Sequence, residues 1–171
     1  AVTPKTYIYQ PTPLPSVLDS WTTAAQRMLN REDLKQGLAL VCGIGSGRLV
    51  EELTQQAPTL MIVAIDSDPV KVRALRVKMD AAGLSGARVS TMQGNLLDSR
   101  FAPYQAAIIT SEDMSAVGSV NDPKVVKELY KCARPFGGEI WLPTSDSQHA
   151  TLAGSVASAT DLPLCDIQRR V

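Results

Sequence analysis

Short apolar runs alternate with stretches of helical periodicity along most of this chain. Residues 38–42, 60–65, 88–92, 105–110 and 139–142 read as strands. The run Ala106-Ala107-Ile108-Ile109 shows no in–out alternation, as expected of a parallel strand covered on both faces. Between the strands the period changes to that of a helix. Ser16 is a capping residue with Asp19 three positions on, and Val17, Leu18, Trp21, Ala24, Ala25, Met28 and Leu29 form an apolar stripe behind it. A helix over 47–57 turns Leu49, Val50 and Leu53 inward and stops before Pro58. Asp68-Pro69 supplies an N-cap and a first-turn proline for the next helix, which buries Val72, Leu75, Met79 and Ala82 and ends at Gly83. Asn121-Asp122-Pro123 opens another, with Val125, Val126, Leu129 and Cys132 inward. A last helix at 148–159 precedes a strand over 164–171.

Alternation of strand and helix predicts an α/β fold: a Rossmann-like three-layer sandwich on a mostly parallel sheet of six or seven strands, with right-handed crossovers. Pro4, Pro11, Pro13 and Pro15 make residues 1–15 an extended arm, and 16–171 is expected to form a single domain. Only one strand is expected after 139–142, so a closing antiparallel pair is not expected to be complete within 16–171. The strand at 164–170 would leave an edge on which further chain or a partner could dock.

In such sheets ligands bind beyond the carboxyl ends of the strands, near the point where strand order reverses. Four features fall there. Residues 39–48 read Ala-Leu-Val-Cys-Gly-Ile-Gly-Ser-Gly-Arg, so Gly43, Gly45 and Gly47 lie in the turn from strand to helix. Asp66 ends the second strand, Asn95 and Leu96 follow the third, and Ser111 follows the fourth. Glycine tolerates positive φ and lets a ligand approach the backbone, and the amides at a helix start attract an anion. Asp66 either accepts hydrogen bonds from ribose hydroxyls or caps the following helix. A dinucleotide fingerprint wants a third glycine at the position held by Arg48, which argues against a nicotinamide-binding oxidoreductase.

Composition narrows the classes further. Basic and acidic residues balance at 17 each, so no net field draws nucleic acid. Lys71, Arg73, Arg76 and Lys78 lie along one helix without interleaved aromatics and read as a solvated face. Cys42, Cys132 and Cys165 are far apart and odd in number, which suggests neither a disulfide framework nor a metal site; the first two read as buried thiols. No apolar run approaches a membrane span and no signal peptide is recognisable; the chain opens with Ala1 rather than Met, which leaves room for a start removed by processing, and a cytoplasmic location is expected.

The glycine loop and Asp66 together resemble the class I S-adenosylmethionine-dependent methyltransferases over about residues 35–143. Ile65-Asp66-Ser67-Asp68-Pro69 is similar to that family's second-strand ending, and Arg134-Pro135-Phe136-Gly137-Gly138 to the loop before its fifth strand. The glycine loop and Asp80-Ala-Ala-Gly-Leu are more narrowly similar to methyltransferase-like domains attached to quinoprotein-type propellers. The resemblance implies S-adenosylmethionine or S-adenosylhomocysteine as cofactor. It would lie across Gly43, Gly45 and Gly47, with Asp66 at the ribose, Ser67 beside the adenine, and Asn95, Leu96 and Ser111 at the neighbouring strand ends.

Two departures weaken that cradle. Val41 stands where the family usually carries an acid for the methionine amino group, and Asn95 where an Asp commonly meets the adenine. No Asn-Pro-Pro-Tyr or Pro-Cys motif follows the fourth strand. Glu112 and Asp113 offer carboxylates where a general base would sit, or else they belong to a solvated loop or helix cap. His149 is either a surface residue or a base, and Tyr7 and Tyr9 either pack on the sheet edge or close over the cofactor. The family reading therefore divides in two: an active methyltransferase of unknown substrate, or a catalytically degenerate module serving as scaffold in a larger protein.

Overall fold

The computed structural model describes residues 8–159, 162 and 165–169. In chain order the elements are α1 (Ser20–Met28), β1 (Gln36–Cys42), α2 (Arg48–Gln56), β2 (Thr59–Asp66), α3 (Pro69–Ala81), β3 (Val89–Gln93), β4 (Ala106–Thr110), α4 (Pro123–Cys132), β5 (Glu139–Trp141) and α5 (Asp146–Ser158), with short 3-10 turns at Glu32–Leu34 and Met114–Ala116. The strands form one parallel sheet in the order β3-β2-β1-β4-β5. Strand order therefore reverses at β1, between β2 and β4. Register brings the carboxyl ends level there, with Val41 beside both Ala64 and Thr110.

Alternate residues of β1 feed two cores. Ala39 and Val41 join Leu49, Val50 and Leu53 of α2, Val72, Leu75 and Met79 of α3, and Ala25 and Met28 of α1. Leu40 and Cys42 join Val125, Leu129 and Cys132 of α4 on the opposite face. Burial pushes the Cys42 thiol up to about 12 and Cys132 up to about 11, so both are neutral packing groups.

Three expectations from the sequence need correction. α1 starts at Ser20, capped by Asp19 rather than Ser16: the Asp19 carboxylate accepts from Trp21 N at 2.9 Å and Thr22 N at 3.0 Å. Val17 and Leu18 consequently lie outside the helix, and Leu18 is 89% exposed. Strand–helix alternation also breaks between β3 and β4, where residues 94–105 hold no helix. Met61 and Met92 on that face of the sheet stay about half exposed as a result. Lastly, five strands are present among the described residues rather than six or seven, and 165–169 form none. Arg169 there pairs with Asp146 of α5 at 2.6 Å instead of extending the sheet.

Arg48, the residue in the third-glycine position, holds α1 and α2 together. Its guanidinium reaches Asp19 at 3.0 Å, Glu51 at 2.8 Å and Glu52, while Lys78 of α3 also pairs with Glu51. Glu51 and Glu52 are almost wholly buried, so the cations beside them offset the loss of solvation. At the other end of α2, Arg88 donates to the carbonyls of Thr54, Ala57 and Leu60 at 2.7–3.1 Å. The arm runs along the far end of α3, where Thr12 N donates to Ala81 O at 2.8 Å. Among the described residues no helix is long and apolar enough to cross a membrane.

Removing one side of the Arg48 network leaves two buried carboxylates short of a partner. Arg48→Ala is expected to destabilise the chain by about 3 kcal/mol in denaturant unfolding. Arg48→Lys should recover only part of that loss, because an ammonium cannot reach three carboxylates in fixed directions.

Candidate functional site

The glycine loop turns through backbone that only glycine adopts readily. Gly43, Gly45 and Gly47 have φ of +95°, +58° and +84°. Gly43 N still donates to Ile65 O at 2.8 Å, which continues the sheet pairing into the turn. Asp66 anchors this loop from β2. Its side chain is buried, with Oδ2 accepting from Ile44 N and Oδ1 from Asp68 N, both at 2.9 Å. Glycine loop and acid are thus in direct contact. Each oxygen retains a lone pair for a further donor.

The loop after β4 closes on the same place. Glu112 N donates to Gly43 O at 3.1 Å. The Glu112 carboxylate then accepts from Ser46 N at 2.7 Å, from Leu49 N at 3.0 Å and from the Ser46 hydroxyl. It therefore caps α2, a helix from a distant part of the chain, and partly neutralises the positive end of that helix. Asp113 pairs with Lys71 of α3 at 2.6 Å and accepts from Ser115 N at 3.0 Å. Hydrogen bonds from Lys71 and Ser115 push the Asp113 carboxyl down to about 2, and the same Asp113 contact raises Lys71. Beneath this loop the hydroxyls of Thr110 and Ser111 are buried without a hydrogen-bond partner.

Other predicted site residues are placed less uniformly. Asn95 lies next to Gly94, whose N donates to Asp66 O at 3.0 Å. Its own side chain is engaged with Asp98, donating to Oδ2 at 2.6 Å and accepting from Asp98 N at 2.9 Å. Ser67 is exposed, whereas Leu96 is fully buried in the α4-side core. His149 sits in the first turn of α5 with Nε2 buried and unpartnered. Tyr9 neither closes the cleft nor packs on the sheet edge: its hydroxyl donates to Asp80 O at the far end of α3. Tyr7 lies outside the described residues.

Arg73, Arg76 and Lys78 of α3 are exposed, as a solvated face requires, and Lys71 is half-buried. Lys71 and Lys78 each hold a carboxylate, and Arg76 donates to Thr91 Oγ1 and O at 3.0 Å. Sequence reasoning missed Ser46, Lys71 and Asp98. For Lys71 a signal existed, since it falls in the first turn after Pro69 and so near the strand ends. A cleft of about 590 Å³ opens between the glycine loop and α3, lined by Ile44, Gly45, Ser46, Val70, Lys71 and Ala74 among others. Among the described residues no group of His, Cys, Asp and Glu side chains is arranged to hold a metal ion.

A family model described as "Methyltransferase domain" matches residues 39–137, the span from the glycine loop to the turn before β5. Solved structures share the fold at low identity. A candidate S-adenosyl-L-methionine-dependent methyltransferase of Methanococcus maripaludis aligns with a TM-score of 0.62 at 19% identity, covering 82% of this chain and 64% of its own. A geranyl diphosphate methyltransferase in complex with SAM gives 0.59 at 16%, covering 71% and 48%. The cyclase SpnF gives 0.57 at 14%, covering 68% and 41%. The chain thus spans less than two thirds of the length of each of these three structures. No curated protein matches its sequence.

Glycine substitutions should rank by what a side chain would meet. At Gly86 (φ +72°) a Cβ meets nothing within 4 Å, so Gly86→Ala is expected to cost only about 1 kcal/mol of backbone strain. At Gly43 it would lie 2.2 Å from the Asp113 carbonyl oxygen, and Gly43→Ala should cost about 3 kcal/mol in the same unfolding assay. Acid unfolding checks the Asp113 contact. Its folded-state pKa lies below the ordinary 3.8, so its contribution is complete above that value and disappears as pH falls towards about 2. Asp113→Asn should flatten that limb of the curve.

Proposed function

The chain belongs to the methyltransferase-domain family, and on that premise we propose that it binds S-adenosylmethionine or S-adenosylhomocysteine at the carboxyl ends of β1, β2 and β4 and serves methyl transfer. The observation that carries this reading is the contact between Asp66 and the glycine loop, Ile44 N to Oδ2 at 2.9 Å. It places a buried acceptor beside backbone free of side chains, which suits a ribose lying over a glycine turn.

In this reading the free lone pairs of Asp66 accept the ribose hydroxyls. Ser67 and Asn95 border the adenine, with Asp98 holding the Asn95 amide in orientation. The backbone of Gly43, Gly45 and Gly47 borders the chain that links ribose to sulfur, and Ser111 lies below it. Leu96 acts only from the core, by packing under the strand ends. When bound, the cofactor supplies an electrophilic methyl group on a sulfonium. In-line transfer depends on alignment and exclusion of water more than on a base. Glu112 and Asp113 are engaged as helix cap and ion-pair partner, so their support is for positioning rather than proton removal.

A second reading, a module that binds cofactor weakly and works as a scaffold, is favoured by one observation: the α2 amides are already held by Glu112. The methyl acceptor is a small molecule or a protein in the first reading. In the second, further chain or a partner docks on the sheet edge, which falls at β5, the last strand in the sheet order. A cytoplasmic setting belongs to the same proposal, supported by three unpaired cysteines. So does the division into an arm over 1–15 and one domain over 16–171.

Calorimetric titration tests the reading. S-adenosylhomocysteine should bind more tightly than NAD, and Asp66→Ala should weaken it by about 1.5–3 kcal/mol, the range for hydrogen bonds to a charged group. Equal binding by the variant, or preference for NAD, would overturn it.

A further inference from the structure

The first amides of a helix that follows a glycine turn are the natural seat for a ligand's anionic group. Here that seat has an occupant. Ser46 N and Leu49 N both donate to the carboxylate of Glu112, which arrives from the end of β4, 63 residues beyond Leu49. We propose that Glu112 determines the ligand specificity of this site by standing in for the ligand's own carboxylate, so that an amino-acid moiety gains the α2 amides only by displacing it. The proposal rests on the cofactor reading above and concerns one end of that cofactor.

Three observations show that the contact is built into the fold. Main-chain pairing of Glu112 N with Gly43 O at 3.1 Å sets the start of the side chain. The neighbouring Asp113 is pinned to Lys71 at 2.6 Å, which holds the loop from the α3 side. A Cβ on Gly45 would lie 2.7 Å from Glu112 Cγ, so the space the glycine leaves open is used by the protein's own side chain. A fourth observation points to an alternative occupant. The Thr110 and Ser111 hydroxyls are buried with no partner, an uncommon and costly state that a bound polar group would relieve. Val41 adds to the same picture, since the strand itself offers no acid to a ligand ammonium.

The consequence is a split in recognition. The nucleoside end of the cofactor meets Asp66 and Asn95 without opposition, whereas the amino-acid end competes with Glu112. Glu112 is thus a positioning and selecting residue; no bond is made or broken on it.

The test compares two probes on the full chain: S-adenosylhomocysteine, which carries the amino-acid end, and 5′-methylthioadenosine, which lacks it. In the parent the two should bind within a few-fold of each other. Glu112→Ala should tighten S-adenosylhomocysteine about tenfold, the scale of one charge-assisted hydrogen bond, and leave 5′-methylthioadenosine unchanged. Glu112→Gln keeps the shape and one acceptor oxygen, so it should fold like the parent and give a smaller shift in the same direction. Unchanged or weaker binding of S-adenosylhomocysteine by both variants, or an equal shift for both probes, would overturn the inference while leaving the cofactor reading intact. If neither probe binds any of the three proteins, the cofactor reading fails and this inference fails with it.

Discussion

A carboxylate buried beside a strand end must find donors, and the donors available to Asp66 are backbone amides of two different loops. Ile44 N comes from the turn after β1 and Asp68 N from the start of α3, each at 2.9 Å. Satisfying that one charge sets the distance between the glycine turn and β2 and fixes where α3 begins. The glycines follow from the same constraint. With the turn held against Asp66 on one side and the β4 loop on the other, Gly43 has no room for a Cβ and Gly45 has room only at the expense of Glu112. The sheet order places the turn and both flanking strand ends at the reversal point, where a parallel sheet leaves a crevice.

Around this centre the charges form two separate systems. Arg48, Asp19, Glu51, Glu52 and Lys78 join the three helices on one face around the buried carboxylates of Glu51 and Glu52. Glu112, Asp113, Ser46 and Lys71 lie across the mouth of the crevice and remain partly exposed. The first system is scaffold: its partners sit on helices or at a helix cap, and two of its carboxylates are buried. The second joins loops and a helix end, where local opening is least costly. A ligand entering the crevice would disturb the second and leave the first untouched.

Local signals in the sequence were legible, and long-range ones were less so. The strand-to-helix turns, the Asp68-Pro69 and Asp122-Pro123 helix starts and the parallel α/β class all follow from residues within a few positions of one another. The cap of α1 did not. Ser16 and Asp19 both suit an N-cap, and the structure uses Asp19, whose second oxygen also meets Arg48 29 residues away. Glu112 poses the same difficulty on a larger scale. An acid after a strand reads equally as base, solvated loop or cap, and only the fold shows that it caps a helix begun at Arg48. Cys165 and Ile167 gave the last segment an apolar alternation too weak to ensure a strand, and 165–169 remain outside the sheet.

The central claim is that the carboxyl ends of β1, β2 and β4 form the cofactor site. Amide chemical-shift mapping of the isotope-labelled chain during titration with S-adenosylhomocysteine tests it most directly. The account predicts saturable shifts concentrated at Ile44, Gly45, Ser46, Ser67, Asn95 and Glu112, with α4 and the far end of α3 unmoved. Shifts centred on the open sheet face around Met61 and Met92, or none at saturating ligand, would contradict it.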